Sequence, residues 1–290
     1  MPTGSRLRTR TRSSVCSCCR SRSPDARHPC AKPSRWCAIT INPKTEMARF
    51  TRLEVLNRIL DEGLMPIFSH GDPETACRVV DAVAAGGVTM FEFTNRADHV
   101  IETYRALAQH CQRHLPKVIL GAGSIVDEAT AALFVAHGAN FIVGPSYNER
   151  VARFCNCRKI AYLPGCQTAT EIAAAEEMGV EIVKLFPCEA AGGPGFARAI
   201  LGPSPWTRIL PTGLRDVSQK GLAAWFEAGA CAIGLGRELI PKDRVEAGDY
   251  AAVTRRVQEV CEWVRDARAS LTLPRGQRHC RVNPETDCAT

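Results

Sequence analysis

The amino-acid sequence of 290 residues predicts a single α/β domain closed into a (β/α)8 barrel, the TIM barrel. Eight short apolar segments recur along the chain, an amphipathic segment follows each of them, and glycines end several of the amphipathic segments. Eight such units over about 200 residues close a barrel of this kind. An open, doubly wound sheet is the alternative, but no Gly-x-Gly-x-x-Gly turn follows the first strand, so we favour the barrel.

The predicted elements follow in order between a first helix over residues 49–61 and a last helix over residues 250–267. Asp72 and Pro73 supply a helix cap and a first-turn proline, and Thr168 and Glu171 have the spacing of a capping box. Glycines at 86–87, 138, 179 and 229 are expected to end helices before the next strand. The eight strands are predicted over residues 64–68, 88–94, 117–120, 140–143, 161–163, 181–186, 208–210 and 230–234.

The composition changes at both ends of this pattern. Residues 1–46 are rich in Arg, Ser, Pro and Cys without a hydrophobic period, so we expect a disordered basic leader. This leader resembles an organelle transit peptide. Alternatively, synthesis begins at Met47 and the leader is not translated, and we prefer this second interpretation. Residues 47–273 are predicted to form the barrel and the aperiodic residues 274–290 a flexible tail. We expect a cytoplasmic protein, with import into an organelle possible if the leader is translated.

Charge and cysteine usage limit the partners of the barrel. The formal net charge is +7, yet 10 of the 37 basic and 2 of the 30 acidic residues lie in residues 1–46. The rest of the chain is nearly neutral, so we expect no nucleic-acid partner, although a leader that binds nucleic acid is an open alternative. No apolar run approaches the roughly 18 residues that cross a bilayer, so no membrane partner is expected. The 15 cysteines are mostly scattered, which predicts free thiols, no metal site and no disulfide framework.

Two predicted strands carry a charge where a parallel strand should be apolar. Glu92 stands between Phe91 and Phe93, and Lys184 interrupts the apolar sixth strand. If the two phenylalanines pack beneath the helices, side-chain alternation directs Glu92 into the barrel interior. Lys184 can point inward in the same way, and alternate barrel strands contribute to shared interior layers. The carboxylate and the amine could therefore meet in one cavity, directly or through a water molecule.

Two interpretations of such a pair are open. It could be a buried ion pair that satisfies itself, which contributes little net stability. Alternatively, apolar walls favour a neutral lysine amine that attacks a carbonyl group, as in enzymes that form a Schiff base.

Six segments of the sequence occur in an order typical of one protein family. The chain resembles the class I aldolases for 2-dehydro-3-deoxy-6-phosphogluconate (KDPG) and 4-hydroxy-2-oxoglutarate (KHG) from about residue 53 to residue 264. The segments are Phe-Glu-Phe-Thr-Asn-Arg (91–96), Gly-Ala-Gly-Ser (121–124), Asn-Phe-Ile-Val-Gly (140–144), Leu-Pro-Gly (163–165), Val-Lys-Leu-Phe-Pro (183–187) and Leu-Pro-Thr-Gly (210–213).

The resemblance implies an aldehyde-lyase that needs no metal or cofactor and cleaves a 2-keto-3-deoxy sugar acid, or KHG, to pyruvate and an aldehyde. It implies that Lys184 forms an imine with the C2 carbonyl of the pyruvyl group and that Glu92 moves protons. It also implies a small-molecule 2-keto acid as the partner and a homotrimeric assembly. The substrate-binding residues that it implies are Arg96, Ser124, Pro164, Gly165, Phe186, Thr212, Gly213, Gly236 and Arg237.

These substrate-binding residues have different expected roles. Arg96 and Thr212 match positions at the pyruvate carboxylate, where an arginine fork can bind both oxygens. Pro164, Gly165 and Phe186 match the cavity wall.

The chain departs from the family at the two loops where barrel enzymes often bind phosphate. The family has Thr-Gly-Gly and Gly-Ser there, and this chain has Leu214 after Thr212-Gly213 and Arg237 after Gly236. Either Arg237 binds a phosphate or a distal carboxylate, or the substrate is an unphosphorylated 2-oxo acid. A barrel that binds a sugar acid without catalysis is a further alternative.

Overall fold

A computed structural model describes residues 49–271, so the predicted leader and the tail over residues 274–290 lie outside the described residues. Within that range, none of the helices is both long and apolar enough to span a bilayer. The helices are α1 (Arg52–Glu62), α2 (Pro73–Ala85), α3 (Val100–His114), α4 (Glu128–Ala136), α5 (Glu149–Arg158), α6 (Ala169–Glu177), α7 (Gly193–Leu201), α8 (Gln219–Glu227), α9 (Lys242–Glu246) and α10 (Tyr250–Ala269). The strands are β1 (Leu64–Phe68), β2 (Met90–Thr94), β3 (Ile119–Gly123), β4 (Phe141–Val143), β5 (Ala161–Leu163), β6 (Gly165–Cys166), β7 (Val183–Leu185), β8 (Ile209–Pro211) and β9 (Ile233–Leu235).

All strand pairs are parallel, and they form a six-stranded sheet in the order β5-β4-β3-β2-β1-β9 and a three-stranded sheet in the order β6-β7-β8. β5 and β6 are two halves of one barrel strand, because Pro164 between them has no N–H to continue the ladder. The Gly165 N–H donates to the Gly144 carbonyl at 2.9 Å, so the second half keeps its neighbour. A parallel bridge between Thr212 and Gly234 closes the ring. The predicted closed barrel is confirmed, with β7 as its sixth strand.

The predicted helix signals are confirmed at their positions. The Asp72 side chain accepts from the Thr75 N–H at the start of α2, and Pro73 is the first helical residue. Thr168 and Glu171 form the predicted capping box of α6. The short helix α9 was not predicted from the sequence.

The residues of β2 alternate as predicted. Phe93 packs beneath α3, where its ring centroid lies 6.0 Å from that of Tyr104. Glu92 points the opposite way, is fully buried and contacts β3 and β7 across the barrel interior. The packing of the phenylalanines under the helices thus places the carboxylate inside the barrel.

Candidate active site

Lys184 and Glu92 face each other inside the barrel. Lys184 Nζ lies 3.5 Å from Glu92 Oε1, with 5% of the lysine side chain exposed and none of the glutamate. Charge-assisted hydrogen bonds of this kind are usually about 2.7–2.9 Å long. The other carboxylate oxygen, Oε2, is buried without a hydrogen-bond partner among the described residues. The pair is therefore close enough to exchange a proton but is not locked into a tight ion pair.

The glycines of β3 make room for this pair. A Cβ atom on Gly123 would lie 2.0 Å from Glu92 Oε1, and one on Gly121 would lie 2.3 Å from the Phe141 ring. The register of the sheet sets Gly121 beside Glu92. The Gly-Ala-Gly run in the sequence is thus explained by the space that the carboxylate occupies.

The backbone of β7 fixes the lysine from both sides. The Lys184 N–H donates to the Pro164 carbonyl at 2.9 Å, and Lys184 is in register with Gly165 and Leu210. The ammonium nitrogen lies 5.4 Å from the centroid of the Phe186 ring. That distance is within the range of a cation–π contact, and the ring contributes an apolar wall.

A chamber of about 510 Å³, here called the inner chamber, opens above Lys184 at the carboxyl ends of the strands. Its lining includes seven of the residues predicted from the sequence: Arg96, Lys184, Phe186, Thr212, Gly213, Gly236 and Arg237. Five further residues line it: Ile67, Leu214, Gly234, Leu235 and Glu238. Ile67, Gly234 and Leu235 lie near the carboxyl ends of β1 and β9. Leu214 and Glu238 lie in the loops that follow β8 and β9, so all five have the general position of active sites in such barrels.

Three residues predicted to bind substrate do not line this chamber, and Glu92 lies beneath its lining. Ser124 accepts a hydrogen bond from Arg96 Nε at 3.1 Å, so it holds the arginine from behind. The Pro164 carbonyl accepts the hydrogen bond from the Lys184 N–H described above. A Cβ atom on Gly165 would lie 2.1 Å from the Pro145 carbonyl oxygen, so the glycine serves the close approach of two loops.

A second chamber of about 280 Å³, here called the outer chamber, adjoins the first. The two share Ile67, Arg96, Gly236 and Arg237 in their linings. The remaining lining of the outer chamber is Phe68, Ser69, His70, Thr94, Ile240, Lys242, Val245 and Glu246. The sequence analysis gave His70 no chemical role, although this residue lies just after the first strand. The helix α9, which was not predicted, supplies three of the lining residues.

The charged side chains at the mouth of the chambers are weakly paired. Arg237 Nε lies 3.3 Å from Glu238 Oε1, with 88% of the arginine side chain exposed, and Lys242 Nζ lies 3.3 Å from Glu246 Oε1. Exposed pairs of this kind contribute about 0–1 kcal/mol, so an anion can replace either partner carboxylate at small cost. Across residues 49–271, no cluster of three or more His, Cys, Asp and Glu side chains could hold a metal ion.

Comparisons with known proteins agree with this geometry. A family model described as KDPG and KHG aldolase matches residues 55–256. The 2-dehydro-3-deoxy-phosphogluconate aldolase of Pseudomonas aeruginosa is 33% identical over 73% of this chain and 92% of its own length. The KHG/KDPG aldolase of Escherichia coli K12 is 30% identical over 69% of this chain and 91% of its own length. The crystal structure of the 4-hydroxy-2-oxoglutarate/2-dehydro-3-deoxyphosphogluconate aldolase from TTHB1 has a TM-score of 0.63 and 27% identity, covering 72% of this chain and 98% of that one.

Proposed function

This chain belongs to the KDPG and KHG aldolase family, and from that premise we propose that it is a Schiff-base aldolase. It cleaves a 2-keto-3-deoxy sugar acid such as KDPG, or KHG, to pyruvate and an aldehyde. The names of the relatives support the reaction. The single observation that carries the proposal is the 3.5 Å separation of Lys184 Nζ and Glu92 Oε1, buried at the base of the inner chamber.

The first stage joins the substrate to the protein. Glu92 takes a proton from Lys184, and the neutral amine attacks the C2 carbonyl carbon of the 2-keto acid. The carbonyl oxygen takes up a proton to give a carbinolamine, which loses water to leave an iminium between Nζ and C2. The positive nitrogen then withdraws electrons from the bond between C3 and C4, so the reaction has an electron sink without a metal ion.

The second stage breaks the carbon–carbon bond. Glu92 accepts the proton of the C4 hydroxyl, the C3–C4 electron pair moves to form an enamine, and C4 leaves as an aldehyde. The enamine then takes up a proton at C3, and water hydrolyses the resulting iminium to release pyruvate and restore the free lysine. One carboxylate thus serves in turn as base and acid, which suits its position next to the amine.

Two further groups bind the pyruvyl carboxylate in this proposal. Arg96 is held through Nε by Ser124, which leaves its two terminal nitrogens free to bind both carboxylate oxygens. The Thr212 hydroxyl is buried without a hydrogen-bond partner among the described residues, so it is available to the substrate.

Trapping with pyruvate and borohydride tests the proposal. We expect borohydride to reduce the imine and leave a stable pyruvyl adduct on Lys184, located by mass spectrometry of peptides. Lys184→Met removes the nucleophile with little change in side-chain volume and should give no adduct, whereas Lys220→Met on the surface helix α8 should still give one. A folded wild-type protein without an adduct on Lys184 contradicts the proposal.

A panel of substrates then identifies the natural one. Release of pyruvate is measured from KDPG, from its unphosphorylated form and from KHG. Preference for the unphosphorylated acid would agree with the apolar Leu214 in the phosphate loop. Ligand-induced stabilisation without any pyruvate release would favour the non-catalytic barrel.

We also propose that the protein works as a homotrimer in the cytoplasm. Eight cysteines among the described residues are free, as expected in a reducing compartment. Val126 and Leu133 are 57% and 45% exposed near the start of and within α4, a pair of apolar side chains that a neighbouring subunit could cover. The mass in solution, measured by light scattering, tests the assembly.

A further inference from the structure

We propose that the outer chamber binds the aldehyde half of the substrate, a short hydroxylated chain that ends in an anion, and that His70 and Lys242 select it. The inference rests on the proposed function, because it takes Lys184 as the attachment point of C2. It assigns a role to a cavity and to two residues for which the resemblance implied none.

The position of Glu92 gives the direction of the substrate chain. The carboxylate that takes the C4 proton must face C4, so C4 lies on the β2 side of Lys184. Ile67 is the register partner of Glu92 on β1, and Thr94 is the next residue of β2 on the same face. Ile67 lines both chambers, and Thr94 lines the outer chamber only. A chain that passes from Lys184 across Glu92 therefore continues into the outer chamber.

The opposite wall is less suited to a charged group. The inner chamber has an apolar wall formed by Phe186, Leu214 and Leu235, and its exposed cation Arg237 lines the outer chamber as well. Leu214 is buried, and the Phe186 ring lies about 3.8 Å from where a Cβ atom on Gly213 would stand. A terminal phosphate or carboxylate would lose hydration against this wall without gaining a partner from these side chains.

His70 presents a hydrogen-bond donor to the outer chamber. Its Nδ1 lies 3.1 Å from the backbone nitrogen of Asp72, whose N–H donates to it, and 3.4 Å from the Asp72 carbonyl oxygen. The shorter contact makes Nδ1 the acceptor, so the neutral ring carries its proton on Nε2. The ring stacks on Phe68 with parallel planes and centroids 6.0 Å apart. An imidazole held in this way is a fixed donor for a substrate hydroxyl.

Lys242 supplies charge at the same chamber. Its ion-pair partner Glu246 also lines the chamber. Because the pair is exposed, a substrate anion can replace the Glu246 carboxylate beside Lys242 at small cost. Arg237 lines both chambers. Because Arg96 binds the pyruvyl carboxylate in the proposed function, the outer chamber offers two further cations, Arg237 and Lys242, against one carboxylate. Ile67, Phe68, Ile240 and Val245 form its apolar floor, which suits the carbon side of a short sugar chain.

Kinetics of His70 variants test the hydroxyl contact. With KDPG and with its unphosphorylated form, His70→Ala should raise KM about five- to tenfold, the effect of one lost hydrogen bond, with kcat nearly unchanged. His70→Gln keeps an N–H donor and should restore most of the affinity. The pyruvate adduct on Lys184 should form normally in both variants. Unchanged KM in a His70→Ala protein that still forms the adduct overturns the inference.

Paired variants of α9 test the anion contact. Lys242→Ala should raise KM for the phosphorylated substrate several-fold more than for the unphosphorylated one. Arg244→Ala removes the same charge from the same helix, but Arg244 does not line the chamber and pairs with Asp243 and Asp249. If both substitutions raise KM equally, the positive charge of the helix attracts the substrate at long range and no contact with Lys242 is needed. That result overturns the assignment of Lys242.

The failure of the inference and that of the proposed function give different results. Loss of the adduct in wild-type protein contradicts the proposed function. Loss of the adduct in His70→Ala alone places His70 in imine formation and overturns its role in binding the aldehyde half.

Discussion

Glu92 is the residue whose geometry says most about the chemistry. One carboxylate oxygen faces Lys184, and the other is buried without a partner among the described residues. A buried acceptor without a hydrogen bond costs about 1–3 kcal/mol, so the position is not explained by stability. A second free oxygen is what a proton carrier between the amine and a substrate hydroxyl requires.

Replacement of this carboxylate by its amide separates proton transfer from structure. We expect Glu92→Gln to lower kcat by about 100- to 10,000-fold, because an amide cannot accept the C4 proton. The assay is pyruvate release under saturating substrate, with circular dichroism to confirm the fold. Glu227→Gln at the exposed end of α8 is the matched control and should leave kcat unchanged. A Glu92→Gln protein with kcat within a few-fold of wild type would exclude Glu92 as the proton carrier.

Among single residues, the sequence predicts the pair of Glu92 and Lys184 but not the side chains that line the outer chamber. A charge within an apolar strand is visible in the sequence, and alternation tells which way it points. Leu214 and Arg237 could be recognised as departures, but the wall beside His70 depends on how separate loops meet. Gly165 looks like a cavity residue in the family motif, yet it serves loop packing against Pro145.

The element that shapes the site is β3. Its glycines leave the volume that the Glu92 side chain and the Phe141 ring fill. The strand was predicted to end at residue 120 but continues to Gly123, because glycines lower the local hydrophobicity while their backbones still pair with β2. The extension is invisible to a pattern of apolar residues.

A single methyl group on β3 should therefore disturb catalysis. In Gly123→Ala the new Cβ would lie 2.0 Å from Glu92 Oε1, so the carboxylate must move. A displacement of about 1 Å can cost roughly 100-fold in rate, and we expect a fall in kcat of that order. Gly195→Ala in α7 is the control, because a Cβ atom there meets no atom within 4 Å. Wild-type kcat in a folded Gly123→Ala protein would show that the carboxylate tolerates the shift.

Two other elements explain where prediction by sequence pattern fails. The fifth strand was predicted over residues 161–163 only, and its continuation as β6 after Pro164 was missed, because the proline divides the ladder without ending the barrel strand. The five-residue helix α9 is too short to show a hydrophobic period. Its position over the outer chamber follows from tertiary contacts that no local pattern encodes.

For the whole molecule, the eight-unit repeat is enough to predict a closed barrel, because strand count and connection type restrict the topology strongly. The division of its mouth into two chambers was not predicted. It arises from loops after several strands and from α9, and loops vary more than the elements that they connect.

Buried thiols should make the entire fold sensitive to alkaline pH. Burial raises the pKa of Cys111, Cys155, Cys166 and Cys188 from the ordinary 9.0 to about 12. Above pH 9 the thiols of the unfolded chain lose their protons, whereas the buried thiols of the folded chain keep theirs until the pH approaches 12. The free energy of unfolding is therefore unaffected by these thiols below pH 9 and falls as the pH rises from 9 toward 12. Urea unfolding at pH 8 and pH 10.5 should show a lower midpoint at the higher pH.

Cysteine substitutions supply the control for this pH effect. Cys155→Ala should lessen the difference between the two midpoints, whereas Cys157→Ala, which changes an exposed thiol in the same helix, should not. Equal midpoints at the two pH values would contradict the prediction.

The two reacting groups lie 92 residues apart in the chain, and the ring that brings them together is completed by the bridge between Thr212 and Gly234. A polypeptide still emerging from the ribosome without β9 lacks both this bridge and the pairing of β9 with β1, so its ring of strands is open. The interior that encloses the amine and the carboxylate is therefore complete only when synthesis of the last strand allows the circle to shut.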